Sequence, residues 1–320
     1  MVLLLLACMD SIDPSDTSKK QIEEQGSDEV LDQTQTYDAP SDGVAVLTTP
    51  IFEVPPHTDQ MLCTVGTWTA PTVGVVGYRP QQPQPYGHHA QLMYTRASPA
   101  EAPDGSLIDC SNGGIDTTPL FQSSSNSAQM LPDGMALYLP QGLRWVIQSH
   151  YINSTDQILR VNDAVYLDYV PEQDVESWGA SWNFGDAELD IPPGDQEVIF
   201  DCAWPTDFHL LSLSPHMHEN GTALWVEKLG REEEGEEEEA EEIYRNDPWD
   251  PRYRDDPPVQ SFEVGALSME AGDRFRVHCA YHNPTEQALK FPEEMCGVYG
   301  LGYSSRDPVN CTIGVGQPMN

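Results

Sequence analysis

The sequence predicts an all-β fold of the sandwich type. From Val44 onward, short apolar or alternating runs are separated by clusters of Pro and Gly, the pattern of strands and turns. Helical periodicity is almost absent, and the 320 residues include 27 Pro and 24 Gly, which favours many short strands. A chain of this length is expected to form two domains, each with its own core.

The boundary between the two domains is expected near residue 173. Segments 143–151 and 164–170 show the strand pattern clearly, and the second ends at Pro171. A polar connection follows it up to Ser177, as is typical of a linker. We therefore place an N-terminal domain at 44–173 and a C-terminal domain at 174–320.

The first 43 residues are expected to lie outside the folded domains. Residues 1–8 resemble the end of a secretion signal, and Ala7 before Cys8 resembles the lipobox at which bacterial lipoprotein signals are cleaved and the new N-terminal cysteine is lipidated. An ordinary signal fragment or a tag remnant is the alternative. Residues 9–43 have hardly any large apolar side chains, which predicts a disordered acidic tether. We expect an exported protein, periplasmic or at the cell surface, that meets the membrane only through this lipid anchor.

The charge of the chain excludes nucleic acid as a partner. The net charge is -37, from 52 Asp and Glu against 15 Lys and Arg, and it would repel a phosphate backbone. Nine Glu fall within residues 232–242, and we interpret 231–242 as a solvated acidic hairpin insertion. A weak calcium site is the alternative, but the run lacks the spaced oxygen ligands of such a site.

Seven cysteines occur, and Cys8 stands apart from the other six. An even number in an exported chain predicts disulfides, although six cysteines allow 15 pairings and their spacing does not choose among them. No two cysteines are close enough in sequence for a zinc knuckle or a thioredoxin-type pair.

Histidines supply the strongest chemical signal. His216 and His218 are separated by one residue, which on a strand places both on the same face, within reach of one metal ion. Two partly exposed histidines are the alternative. Pro215 indicates that this strand ends there or lies at a sheet edge.

A second pair, His88 and His89, is adjacent, so on a regular strand the two side chains would point to opposite faces. Both can bind one metal only if the backbone twists, as Gly87 permits. His150 ends an apolar, aromatic strand and by itself is read as a structural histidine.

Four motifs occur in chain order: His88-His89, Gln148-Ser149-His150-Tyr151, His216-Met217-His218 and Glu294-Met295-Cys296-Gly297-Val298-Tyr299. Together they resemble the copper type II, ascorbate-dependent monooxygenases, the family of peptidylglycine α-hydroxylating monooxygenase and dopamine β-monooxygenase. Ile191-Pro192-Pro193-Gly194 also resembles a family segment, and the resemblance covers roughly residues 45 to 311.

The resemblance implies two tandem antiparallel β-sandwich domains, jelly-roll-like, facing each other across a cleft with one copper ion in each. The implied electron-transfer copper is held by His88, His89 and His150. The implied oxygen-binding, catalytic copper is held by His216, His218 and Met295. A thioether with two imidazoles favours soft Cu(I), whereas Met295 alone would be read as a core methionine.

The resemblance also implies roles for residues around these ligands. Tyr299 matches the family tyrosine at the substrate site, and His209 matches a family histidine. Strand parity puts His209 on the opposite face from His216 and His218, which predicts a supporting or core role unless a bulge near Pro215 re-aims it. Ser214 and Gly297 stand where the peptide-amidating enzymes have Arg and Asn, so a peptide carboxylate is a poor fit. The implied disulfides are Cys63 with Cys110, Cys202 with Cys311, and Cys279 with Cys296. The remaining histidines are expected to be structural or on the surface: His57, His278 and His282.

The implied reaction inserts one oxygen atom into a C–H bond of a small organic substrate, with O2 and electrons from ascorbate or a similar reductant. The alternative function is an exported copper-binding protein that sequesters copper without turnover. Such a protein needs the Met295 site but not the His88, His89 and His150 set. A purely structural β-sandwich is the third hypothesis, and it would leave the order of the four motifs to chance.

Overall fold

The structure is a computed structural model that describes residues 29–38, 41–111, 114–121, 127–231, 239–254, 256–291 and 293–314. Cys8, residues 9–28 of the predicted tether and residues 232–238 of the acidic run lie outside these ranges. The described residues form 26 strands and two short 3-10 helices, so the all-β prediction is confirmed. None of the described helices has the length and apolar character needed to cross a membrane.

The strands divide equally between two halves of the chain. The strands of the first half are β1 (Val30–Asp32), β2 (Val44–Thr48), β3 (Phe52–Val54), β4 (Thr58–Thr67), β5 (Val73–Gln81), β6 (Gly87–Tyr94), β7 (Leu107–Asp109), β8 (Thr118–Pro119), β9 (Gln129–Met130), β10 (Met135–Leu139), β11 (Arg144–Asn153), β12 (Ile158–Val161) and β13 (Ala164–Pro171). A 3-10 helix, Glu172–Asp174, separates the halves.

The second half repeats this number of strands. They are β14 (Ser177–Asp186), β15 (Asp190–Ile191), β16 (Gly194–Ala203), β17 (Phe208–Leu210), β18 (Ser212–His216), β19 (Gly221–Leu229), β20 (Ala240–Asn246), β21 (Gln260–Ser261), β22 (Ser268–Met269), β23 (Arg274–Asn283), β24 (Leu289–Lys290), β25 (Cys296–Tyr303) and β26 (Val309–Ile313). The other 3-10 helix is Pro251–Arg254. Strand β19 pairs antiparallel with β20, and Ala240, Glu241 and Glu242 of the predicted insertion are the first residues of β20, so the predicted insertion extends too far at its C-terminal end.

Each half has its own hydrophobic core, and one sheet joins the two halves. The second-half core gathers around Trp182, Trp204 and Phe275, and the core around Tyr78 and Phe121 is built mainly from the first half but also takes in Leu211 and Leu301 of the second. The main path of the 12-stranded sheet has the order β2-β13-β5-β10-β14-β25-β17-β22, and its other four strands, β9, β18, β21 and β26, pair beside this path. It crosses the boundary where β10 pairs in parallel with β14. The halves are therefore continuous through main-chain hydrogen bonds, a link that the sequence did not predict.

Part of the predicted disordered tether is ordered, so that prediction is wrong for residues 29–38. Strand β1 pairs in parallel with β12, and Leu31 packs against the core formed by Phe52 and Val54. The Gln35 N–H donates to Asn162 Oδ1 at 2.8 Å, and Asn162 Nδ2 donates back to the Gln35 carbonyl at 3.0 Å. Backbone pairing with a distant strand orders a segment that has few apolar side chains of its own.

The two halves are built on the same unit, which is visible in strands β11 and β23. Each has ten residues, and each is followed by a Thr and a Gln at the same spacing. Asn153 Oδ1 accepts hydrogen bonds from the Thr155 main-chain N–H and hydroxyl, and Asn283 does the same for Thr285. Strand β11 lies between β4 and β6 just as β23 lies between β16 and β19.

The three predicted disulfides all form. Cys63 on β4 is bonded to Cys110 in the first half. The second half contains the other two bridges, Cys202 with Cys311 and Cys279 with Cys296. Such a set is typical of proteins exported to an oxidising compartment.

Candidate metal centres

A β-bulge brings the three first-half histidines together. On the ladder between β6 and β11, His150 pairs with His89 and Tyr151 pairs with Gly87, so His88 is an extra residue in β6. The bulge re-aims the side chain, because the regular alternation of faces is interrupted there. The ring centroids are 5.2 Å apart for His88 and His89, 4.8 Å for His88 and His150, and 4.9 Å for His89 and His150. The backbone twist that the adjacent pair requires is thus present.

The ring nitrogens of this set are arranged for a metal. The Nε2–H of His150 donates to Asp59 Oδ1 at 2.7 Å, which leaves Nδ1 of the same ring as a possible ligand atom. Nδ1 of His150 and Nδ1 of His89 are buried, and neither has a hydrogen-bond partner in the described part of the chain. Burial, followed by the neighbouring His150 and His88, lowers the pKa of His89 to about 3. Its imidazole is therefore neutral, the form that binds metals.

The size of the set also fits one ion. The candidate ligand atoms of His88, His89 and His150 all lie within 4.8 Å of one another. Metal–imidazole bonds of about 2.0–2.1 Å allow nitrogen separations of up to about 4.2 Å, so small side-chain rotations close the three rings on an ion. The hydrogen bond that His150 Nε2–H donates to Asp59 fixes the orientation of the His150 ring, a common arrangement behind metal-bound histidines.

The second-half histidines also face each other, at the end of β18. The ring centroids of His216 and His218 are 5.3 Å apart. His218 Nδ1–H donates to the Glu293 carbonyl at 3.0 Å, which leaves Nε2 as the possible ligand atom. Burial, then His218 and Arg254, lower the pKa of His216 to about 3, so this imidazole is neutral as well.

Glu294 connects the His216 and His218 pair to Met295. Its carboxylate is fully buried. Oε1 accepts hydrogen bonds from the main-chain N–H groups of His218 and of Met295, the second at 3.1 Å. Oε2 accepts the Asn220 N–H at 3.1 Å. One carboxylate oxygen therefore holds the backbone of two predicted ligands next to each other.

Two further contacts fix the segment that carries Met295. The Tyr281 hydroxyl donates to the Met295 carbonyl at 2.7 Å, and Cys296 is bonded to Cys279 on β23. On the ladder between β18 and β25, His216 lies opposite Gly297, two residues beyond Met295. Met295 lies directly before β25. Because side chains alternate along a strand, a residue two positions from Gly297 falls on the same sheet face as His216.

Other predicted site residues have separate outcomes. Tyr299 lies opposite Ser214, and its ring centroid is 6.4 Å from that of His216, so it borders the second centre. His209 stacks on Tyr303 at 4.7 Å, and its Nδ1 lies 2.6 Å from Ser268 Oγ. These two contacts are with residues outside the predicted ligand set, and the supporting or core role of His209 stays a prediction.

The three remaining histidines form ion pairs away from both centres. His57 Nε2 and His282 Nδ1 lie 2.8 Å and 2.7 Å from exposed Asp156 and Asp195, respectively. His278 lies between Glu197 and Glu227 and stacks on Trp225 at 4.5 Å. They are structural or surface residues, as expected.

Asp59 and Glu294 have roles that the sequence reasoning missed. Asp59 was not singled out, although it lies in the segment Pro55 to Gln60 that is similar to Pro192 to Gln196 in the second half. Glu294 was quoted only as part of a motif. The position of Glu294 directly before Met295 was the available signal for it, whereas no local signal marked Asp59, which is 91 residues from His150 in sequence.

The comparisons with known proteins do not identify the chain. No family model matches it. No curated protein matches it either. Among solved structures it is similar to the major capsid protein P2 from bacteriophage PM2, with a TM-score of 0.30, 11% identity, and coverage of 82% of this chain and 99% of that one. For the structure of infectious bursal disease virus Gx strain the TM-score is 0.20, with 9% identity and coverage of 83% and 74%. At these TM-scores the likeness carries no argument about function.

Proposed function

We propose that this protein is a copper-dependent monooxygenase that hydroxylates a C–H bond of a small organic substrate, with O2 and electrons from ascorbate or a similar reductant. The proposal assigns one copper to His88, His89 and His150 and another to His216, His218 and Met295. The observation that carries it is the bulge in β6, which turns two adjacent histidines toward His150 on the neighbouring strand.

The ligand types favour copper over zinc. Three imidazoles suit either copper oxidation state, whereas two imidazoles with a thioether favour Cu(I). Zinc sites seldom use Met. When bound, copper supplies the one-electron and oxygen chemistry that no side chain of the protein can supply.

The protein itself orients and shields the reacting centre. Asp59 holds the His150 ring through Nε2, and Glu294 holds the main chain of His218 and Met295. Burial keeps His89 and His216 neutral, so a proton does not compete for these ring nitrogens at neutral pH. Tyr299 borders the second centre and is the proposed substrate contact.

We also propose export with a lipid anchor on Cys8. The three disulfides support an oxidising compartment. The small substrate and O2 would then reach the protein outside the cytoplasm, with the membrane contacted only through the N-terminal lipid.

Sequestration of copper without turnover is the second candidate function. It needs only the set of His216, His218 and Met295, and it is favoured by one observation: the buried Glu294 carboxylate accepts the main-chain N–H groups of both His218 and Met295. A sequestering protein needs no reductant-driven reaction, so turnover separates the two functions.

The test is oxygen consumption and product formation with ascorbate over a panel of phenethylamine, peptide and aromatic substrates. We expect two coppers per chain, a hydroxylated product from the wild type, and no product from Met295→Ala. Met130→Ala is the matched control, because Met130 is 63% exposed and distant in sequence from both ligand sets. Copper binding without turnover on the whole panel would support sequestration and contradict the monooxygenase.

A further inference from the structure

A half-enclosed pocket lies at the seam where the two halves share a sheet. Its first-half wall includes Leu137, Pro140 and Leu143, and its second-half wall is formed by residues 179–181 of β14 and residues 306–308. The cavity volume is about 220 Å³. Ligand pockets for drug-sized molecules are roughly 300–1,000 Å³, so this one suits a smaller molecule.

Two arginines, one from each half, line this seam pocket. Arg306 places its guanidinium over the rings of Tyr138 and Trp178, at 5.0 Å and 4.6 Å from their centroids. It also lies 3.7 Å from Glu172. Arg96 is exposed, and it forms no ion pair with any residue in the described ranges.

The pocket lacks the strong negative charge of the whole chain. Its lining residues include two arginines and one carboxylate, that of Asp307. The chain has a net charge of -37 and only 15 Lys and Arg. A small anion is repelled over most of such a surface and favoured where cations converge on a concave site.

We infer that the seam pocket binds a small organic anion with a flat apolar body, such as an aromatic monocarboxylate. The apolar wall takes the body of the ligand, and the aromatic ring of Tyr138 extends that wall. The guanidinium groups of Arg96 and Arg306 match the planar geometry of a carboxylate. The pocket shares no residue with either metal centre, so this site is independent of the proposed copper function.

The experiment is calorimetric titration of the full chain with benzoate and with benzyl alcohol, its neutral counterpart, at fixed ionic strength. We expect benzoate to bind at least several-fold tighter than benzyl alcohol. Arg96→Gln should lower the benzoate affinity about ten-fold, the usual size of a hydrogen bond to a charged group, and leave that of benzyl alcohol unchanged. Because Arg96 is exposed, this variant is expected to keep the wild-type melting temperature.

The matched control is Arg160→Gln, which removes an exposed first-half arginine paired with Asp32 at 3.5 Å and absent from the pocket lining. It should leave the benzoate affinity unchanged. Equal benzoate affinity in Arg96→Gln and the wild type would overturn the role of Arg96 in binding the carboxylate. Equal affinity for benzoate and benzyl alcohol would overturn the anion class, and no binding of either would overturn the site.

Discussion

The two halves of the molecule share one scaffold but carry their histidines at different places on it. In the first half, Tyr151 pairs with Gly87 and the bulged residue is His88. In the second half, Tyr281 pairs with Gly221, and the ladder shifts before Ala223, so Thr222 is the bulged residue. The bulge therefore belongs to the fold, and only the residue types at its positions make it a candidate metal centre.

The residues equivalent to the first histidine set show the same contrast. Counting from the paired Tyr and Gly, the positions of His88, His89 and His150 correspond to Thr222, Ala223 and Ala280. The second half instead has His216 as the last residue of β18 and His218 just beyond that strand, before the bulge. Two halves of similar architecture thus offer two different sites.

Each half contains a fully buried acid, and the two acids have different contacts. Asp163, just before β13, is fully buried and accepts hydrogen bonds from the Tyr151 hydroxyl and from Gln82 Nε2, both side chains. Glu294, just before β25, is also fully buried but accepts main-chain N–H groups. The first centre is therefore assembled by strand pairing, and the second depends on one carboxylate.

The largest expected effect comes from removing that carboxylate. Glu294→Ala leaves the N–H groups of His218, Asn220 and Met295 without their acceptor, and each buried donor costs about 1–3 kcal/mol. We expect a loss of about 3 kcal/mol or more in the free energy of unfolding, measured in urea, and loss of metal at the second centre only.

The matched control for this variant is Glu293→Ala. The Glu293 side chain is exposed, and only its main-chain carbonyl contacts His218. This control should unfold like the wild type. Unchanged stability and two-site metal binding in Glu294→Ala would show that the carboxylate does not organise the second centre.

The buried acid of the first half predicts a pH dependence. Burial raises the pKa of Asp163 to about 6 from an ordinary value of 3.8. A raised carboxyl pKa means that the folded state holds the proton more tightly than the unfolded state. Its contribution to stability is complete below about pH 4 and is lost as the pH rises to about 6, by about 3 kcal/mol for a shift of this size.

The check is the free energy of unfolding of the wild type and of Asp163→Asn between pH 4 and 7. As the pH rises through this window, the wild type should lose about 3 kcal/mol of unfolding free energy relative to Asp163→Asn. A difference that stays constant with pH would contradict a protonated Asp163 in the folded protein.

The smallest effect is expected at Asp59. Asp59→Asn replaces the carboxylate that accepts from His150 Nε2, and loss of such a partner typically lowers metal affinity by about 10–100-fold. Copper titration should show this loss at the first centre and none at the second. Asp156→Asn, which alters the partner of exposed His57, should leave both affinities unchanged. Equal losses of copper affinity in Asp59→Asn and Asp156→Asn would contradict the role of Asp59.

The sequence predicted the fold class well because strand and turn patterns are local. Alternation and Pro and Gly clusters indicated short strands, and family resemblance supplied the pairings of Cys63, Cys202 and Cys279 that spacing alone left open. The segment around Gln35 was wrongly predicted, because its hydrogen-bond partner Asn162 is 127 residues away.

The relative strength of the two histidine signals also changed. His216 and His218 looked stronger in sequence, because their spacing suits a regular strand. The arrangement of His88 and His89 depends on the register with β11, which a local pattern does not contain. The same Tyr and Asn at the ends of β11 and β23, each followed by Thr and Gln at the same spacing, could have indicated the duplicated scaffold from the sequence.

The most direct test of two separate copper centres is anomalous X-ray diffraction at the copper edge from crystals loaded with Cu(I). The account predicts two peaks per chain, one among the rings of His88, His89 and His150 and one beside His216, His218 and the Met295 sulfur. A single peak, or peaks only at exposed carboxylates such as those of Asp156 and Asp195, would contradict it.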